Sequence, residues 1–294
     1  MPDSLLIDTA FIPGVVSIFA AGLLWFIGGT DRGYAAAAGD IDSDTLVVLM
    51  MAIGIGFITG YLVILGPPPA PPNASIQKLF YVVAVGVILG VLLDLMRPQP
   101  GVTRALGALA PLVIIGWFVW RRLFAIDWGH DWTLLIKVVG FAIVAGAILA
   151  SLYRERGAAV ESGVMILVAA TGLAGLAVFG ASAVVAQLSG TIAAGAVGLL
   201  LWNWPFSRHG FGAAGILGAG GALMGLAAIL LFFSEANPLA LVMLAFVFLA
   251  APMSERLVPG RGGFARAIRP FVLAAIATIP ALAALGVALL GRGQ

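Results

Sequence analysis

Ten long apolar runs, cut apart by short polar links, constrain this chain more than any other feature. They cover residues 10–29, 45–66, 76–96, 103–121, 133–152, 162–180, 183–202, 211–233, 238–253 and 270–290. An α-helix needs about 20 apolar residues to cross a ~30 Å hydrocarbon layer, and most of the runs approach that length. Hydrophobic residues make up 62% of the 294 residues and charged residues only 10%, with a mean hydropathy of +1.13. Soluble domains carry roughly 25% charged residues, so no soluble fold would bury this much apolar surface. The expected fold class is all-α: a polytopic integral membrane protein with about ten transmembrane helices. The spans and their links use up the chain, so one transmembrane domain over residues 1–294 is expected.

The longest run needs a break. Residues 162–202 are almost uninterrupted, and as one helix they would be about 60 Å long, twice the hydrocarbon thickness. A turn around Gly180–Ser182 is the natural place for it. Other boundaries have local signals. Ser43 or Asp44 suits the cap of the second span, and Pro238 and Pro270 suit first-turn positions. Gly66 to Pro72 contains five prolines and reads as a stiff extended link. Trp117, Trp120, Trp128, Trp132, Trp202 and Trp204 fall near span ends, where an aromatic belt belongs. The first residues lack the positive stretch of a signal peptide, so the first run is expected to be a retained helix.

Charge sets an expected orientation. Ten alternating spans place Arg32, Arg97, Arg104, Arg154, Arg156, Arg208, Arg256, Arg261, Arg266 and Arg269 on one side. Lys78, Arg121, Arg122, Lys137 and Arg292 fall on the other, with Arg121 and Arg122 as the main violation. The positive-inside rule makes the first side cytoplasmic and puts both termini outside. High Ala and Gly content fits a GC-rich bacterial genome and so is not counted toward function; the expected location is a bacterial inner membrane.

Five spans per half, 1–153 and 154–294, would make the halves inverted repeats, a common transporter plan. The fourth and ninth spans would then correspond, and each carries a proline, Pro111 and Pro252. Interrupted helices in matching positions point to a midplane site, although prolines are also ordinary in spanning helices. Small residues recur every four positions in the seventh span (Ala186, Gly190, Ala194, Gly198) and the eighth (Gly210, Ala214, Gly218, Ala222). Such stripes allow close backbone approach, so these two spans are expected to form a tightly packed pair. Gly56/Gly60 and Gly86/Gly90 repeat the pattern in the second and third spans.

Intramembrane charge is scarce. Asp94 lies three residues before Arg97, which suggests an interfacial ion pair on one helix face. Lys137 lies about one turn inside the fifth span, from where it can snorkel outward toward Asp131. Gln187 and Thr191 share a face at i, i+4 and suit either a polar path or a hydrogen bond to a neighbouring helix. His130 and His209 are expected on opposite sides, which excludes a shared metal and disfavours a bis-histidine haem. Asp40 to Asp44 resembles the start of a calcium loop, but Thr45 and Met51 replace the required glycine and glutamate. Arg256, Arg261, Arg266 and Arg269 read as a basic loop facing anionic headgroups or a soluble partner. The chain has no cysteine, which removes disulfides, thiolate metal sites and cysteine nucleophiles. It has neither a Gly-x-Ser-x-Gly elbow nor a His-Glu-x-x-His motif, and no catalytic residue, metal or cofactor is expected.

The favoured expectation is a bacterial inner-membrane transporter or flippase for a small or amphipathic substrate, working by alternating access. Asp94, Pro111, Lys137, Gln187, Thr191 and Pro252 are its candidate path residues. A non-catalytic subunit or assembly factor of a larger membrane complex is the alternative, and a lipid-modifying enzyme the third. Expected partners are membrane lipids, other membrane subunits or a second copy of the chain. Nucleic acid is not among them, because a net charge of +2 spread over span ends reads as membrane orientation.

Overall fold

A computed structural model describes residues 11–16, 18–19, 51–96, 100–124, 132–154, 159–204, 211–258 and 263–291. All regular structure among the described residues is helical. Helix α1 is described at 11–16 and 18–19, and α2 spans Ala52–Leu65. Then follow α3 (Ser75–Met96), α4 (Pro100–Phe124), α5 (Trp132–Arg154), α6 (Ala159–Phe179) and α7 (Ala183–Asn203). The last three are α8 (Gly212–Phe233), α9 (Pro238–Leu257) and α10 (Gly263–Gly291). Helices α3 to α10 are long and apolar enough to cross a membrane, and α2 is a shorter apolar helix. The protein is an all-helical polytopic membrane protein, and each expected span has a helical counterpart among the described residues.

Side chains bridging helix ends establish the antiparallel weave. At one face, where α3 and α5 end, Asp94 of α3 meets the start of α8 and Ser151 of α5 meets α9. At the other face Lys78 of α3 meets α4, and Arg122 of α4 meets the end of α8. We call these faces A and B. Apolar side chains point outward from the bundle, such as Ile136 and Ile143 on α5 and Ile279 and Leu282 on α10. Such exposure is expected where the surrounding solvent is hydrocarbon.

Helix α8 is the centre. It touches α2 through α7 and α9, and 78% of its most apolar stretch is buried, against 17% for α5. Its composition allows this. Gly212, Gly215, Gly218, Gly220, Gly221 and Gly225 leave room for neighbours on several sides. A Cβ built on Gly86 of α3 would lie 2.6 Å from the Leu217 carbonyl oxygen, and one on Gly90 would collide with the backbone of Ala214. Helices α3 and α8 are therefore in backbone-to-backbone contact. Where they touch, residues Ile216–Gly220 adopt a π-helical turn inside α8.

The small-residue stripes do pack closely, but not chiefly against each other. Ala214 and Gly218 of α8 face Gly90 and Val87 of α3. Ala194 of α7 faces Gly14 of α1, while Gly195 of α7 abuts Ile53 of α2. Helix α7 rests mainly on α6 and α2 and reaches α8 through its Gly221–Phe233 half. The expected seventh–eighth pair is thus replaced by separate seams, because residues on several sides of each helix are small. Gly210 lies outside the described residues.

Several local expectations hold. Helix α6 ends at Phe179 and α7 starts at Ala183, with Ala181 in the left-handed region (φ 55°) making the turn. Helix α2 stops at Gly66 (φ 73°), and residues 66–74 form the non-helical proline link. Pro238 occupies the first turn of α9, with the Asn237 side chain accepting from the Leu239 N–H at 2.9 Å. Pro270 departs from expectation: it lies well inside α10, which begins at Gly263. Arg266 and Arg269 consequently stand on the first turns of a helix, not in a loop, and Arg256 is on the last turn of α9. Arg261, Ser43, Asp44, Trp128 and both histidines lie outside the described residues.

Gly90→Leu should lower stability by about 1–3 kcal/mol through overpacking against α8. Gly116→Ala, where a Cβ meets open space, should be neutral or stabilising by a few tenths of a kcal/mol. Denaturant titration of the purified protein in micelles checks both.

Candidate functional site: two cavities along helix α5

Two charged side chains terminate helix α8. The first backbone N–H groups of any helix and its last carbonyls lack intrahelical partners. At face A the Asp94 carboxylate accepts from Ala213 N–H at 2.8 Å and Ala214 N–H at 2.9 Å, through different oxygens. At face B, Arg122 donates to the Phe232 carbonyl at 2.7 Å, and its guanidinium lies 4.7 Å from the centre of the Phe233 ring. Helix α8 therefore has a negative group at its N-terminus and a positive group at its C-terminus, both matched to its dipole. Lys78, only 6% exposed, donates to the Trp117 carbonyl at 2.8 Å near the C-terminal end of α4.

The two prolines leave carbonyls with no helical donor. Proline has no N–H, so the carbonyl four residues earlier loses its partner. For Pro252 that carbonyl is Phe248, which accepts instead from the buried Ser151 hydroxyl of α5 at 2.8 Å. The 3-10 turn Phe246–Leu249 immediately precedes this break. For Pro111 it is Gly107, which lines a cavity.

That cavity, of about 630 Å³, lies toward face A between α3, α4, α5 and the π-helical start of α8. Tyr153 and Arg154 stand at its polar end, and Leu93, Leu149, Ile216 and Leu217 supply apolar wall. A second cavity, of about 260 Å³, lies toward face B between α5, α6, α8 and α9. Its wall is apolar, including Phe141, Ile148, Leu223 and Phe248, and Lys137 is its one charged lining residue. The two cavities flank the same helix on opposite sides. Lys137, Phe141, Val144 and Ile148 form one stripe of α5, while Gly146, Ala150 and Tyr153 form another, rotated by about half a turn.

Helix α5 is the least buried of the spans and packs chiefly on α4, with few anchors to α8 and α9. Phe141 sits 6.2 Å from Phe232, Ser151 bonds to α9, and Leu149 and Leu152 meet Gly220. A Cβ built on Gly140 or Gly146 would meet nothing within 4 Å, and the same holds for Gly107 across the face-A cavity.

The expected path residues separate on this geometry. Lys137 lines the face-B cavity. Pro111 and Pro252 adjoin the two cavities through the carbonyls they release. Asp94 reaches the backbone of Ala213, a lining residue of the face-A cavity. The expected partner of Asp94, Arg97, lies outside the described residues, as does Asp131, the expected partner of Lys137. Thr191 is fully buried, donates to the Leu188 carbonyl of its own helix at 2.8 Å, and packs its methyl against Gly60. Gln187 is half-buried one turn earlier, and neither residue lines these cavities. Sequence reasoning passed over Ser151, Tyr153 and the glycines of the cavity walls. Ser151 has no periodic signal, and Arg154 entered only as a unit of interfacial charge.

The sequence matches no protein-family model, and comparison with curated proteins finds no significant match. The site is therefore read from its own geometry.

Asp94→Leu would strand two N–H groups of α8 in a low-dielectric setting and should cost about 2–4 kcal/mol, with Asp94→Asn costing about half as much. The shift in unfolding midpoint measures it. A double-mutant cycle tests the proline partner: Ser151→Ala should cost about 1 kcal/mol, and much less in a Pro252→Ala background, where the helix supplies its own donor to Phe248.

Proposed function

We propose that the protein moves a small or amphipathic substrate across the membrane along α5. One observation carries this reading: two cavities, one toward each face, lie on opposite flanks of a single sparsely anchored helix. A sideways displacement of α5 enlarges the cavity behind it and fills the one ahead. Because the cavities serve opposite faces, such a movement alternates which face has access, as exchange across a membrane requires. Helix α8 is the fixed wall, with both ends tied to neighbouring helices by Asp94 and Arg122.

The composition of the cavities supports an amphipathic substrate over a small ion. Each has a long apolar wall and a basic side chain at one end. Asp94, which bonds the backbone of Ala213 in the wall of the face-A cavity, holds N–H groups with both oxygens, a geometry that favours a structural anchor over a catalytic acid.

The test is translocation in proteoliposomes, using a fluorescent amphiphile whose outer-leaflet population is quenched chemically. Wild type should empty the inner leaflet faster than protein-free vesicles. Gly140→Leu and Gly146→Leu fill the two cavities without backbone collision, so each should slow translocation about tenfold or more while the unfolding midpoint changes little. A wild-type rate equal to that of protein-free vesicles would overturn the reading.

A further inference from the structure

Lys137 and Arg154 are the only charged residues of α5, one in its second turn and the other its last residue. They are 17 residues apart, about 25 Å along the axis, close to the thickness of a hydrocarbon layer. A lysine one turn and a half inside a spanning helix, as Lys137 is, has a stem long enough to bring its ammonium to the headgroup level. Each therefore stands where a lipid headgroup sits in its own leaflet. Each also lies at the end of one cavity: Lys137 with the apolar groove toward face B, Arg154 with the larger space toward face A.

The face-B groove is open to lipid. Its lining residues Ile136 and Val242 are 67% and 40% exposed on the outside of the bundle, so a chain can enter sideways from the bilayer. Its remaining wall is hydrocarbon, which matches an acyl chain and gives no hydrogen bond to a polar solute. At face A, Tyr153 and Arg154 both line the cavity, and both side chains can donate hydrogen bonds to phosphate oxygens. An apolar wall with a basic side chain at one end recurs in both cavities.

We infer that the substrate class is an anionic phospholipid, with its acyl chain in the apolar wall and its phosphate on Lys137 in one leaflet and on Tyr153 and Arg154 in the other. This rests on the transport reading above and names the substrate of that same site. Zwitterionic lipids of equal chain length fit the grooves but leave the cation facing an ammonium group as well as a phosphate. The preference is therefore for net negative headgroups, and it depends on two named side chains. Other surface arginines, such as the exposed Arg121 in the last turn of α4, line neither cavity.

The experiment uses the full chain reconstituted in vesicles of equal phosphatidylglycerol and phosphatidylcholine, extracted in mild detergent, with retained lipids counted by native mass spectrometry. Wild type should retain phosphatidylglycerol in clear excess. Lys137→Gln and Arg154→Gln should each lower that excess about fivefold at their own site, the effect of removing one cation near a headgroup, and the double variant should retain both lipids equally. Lys137→Arg and Arg154→Lys should restore the preference, which separates charge from folding. Arg121→Gln should leave it unchanged. Equal retention by wild type, an undiminished preference in the double variant, or an equal loss in Arg121→Gln would overturn the inference. The two readings fail separately: equal translocation of both lipids sinks the substrate class but not transport, and selective retention without translocation sinks transport but not the lipid site.

Discussion

The bundle depends on one buried helix whose two ends are neutralised by side chains from elsewhere. Helix α8 runs through the centre, and its terminal N–H and C=O groups have no intrahelical partners. Asp94 from α3 meets its first N–H groups, and Arg122 from α4 meets its last carbonyls. Both contacts are charge-assisted and aligned with the helix dipole, in surroundings where unpaired polar groups are costly. They also explain two features that look anomalous in isolation. Asp94 is an acid inside an apolar helix, and Arg122 opposes the positive-inside trend. Each stands where α8 needs a charge of that sign.

With α8 tied at both ends and glycine-rich along its length, α3 can approach it until backbones touch at Gly86 and Gly90. Helices α6, α7 and α10 complete a tight side of the molecule. The loose side is α5. It is the least buried span: it packs chiefly on α4, leans on α8 through Phe141 and on α9 through Ser151, and has a cavity on each flank. This contrast between a clamped wall and a lightly held neighbour is the physical basis for reading α5 as the moving part. Motion is easiest where few contacts must break. The prolines sharpen the contrast, because Pro252 makes Ser151 the donor for a carbonyl that an unbroken helix would satisfy itself.

Much of the architecture was legible before any coordinate. The apolar runs marked the spans because a lipid-facing helix has to satisfy its own backbone and cover it with hydrocarbon. The turn at Gly180–Ser182 followed from length alone, and the proline link from the missing N–H groups. The weaker expectations were those that needed a partner. The glycine stripes correctly indicated close approach, but a stripe does not say which neighbour fills it, and α7 and α8 each turned theirs mainly to other helices. Asp94 was visible as an intramembrane acid, yet its partners are backbone groups of α8, more than a hundred residues away in sequence. Backbone N–H groups carry no residue-type signature. The cavity walls were hidden for a related reason: Gly107, Gly140 and Gly146 look like packing glycines, and only their surroundings show the space over them to be empty.

By itself, the sequence determined the solvent, the helices and where they break, since these follow from local hydropathy, length and proline chemistry. Tertiary structure decided which helix is central, which charges terminate it, and which helix is left between two cavities. Those outcomes depend on contacts between distant segments, where small residues permit several pairings and the unpaired ends of α8 select among them.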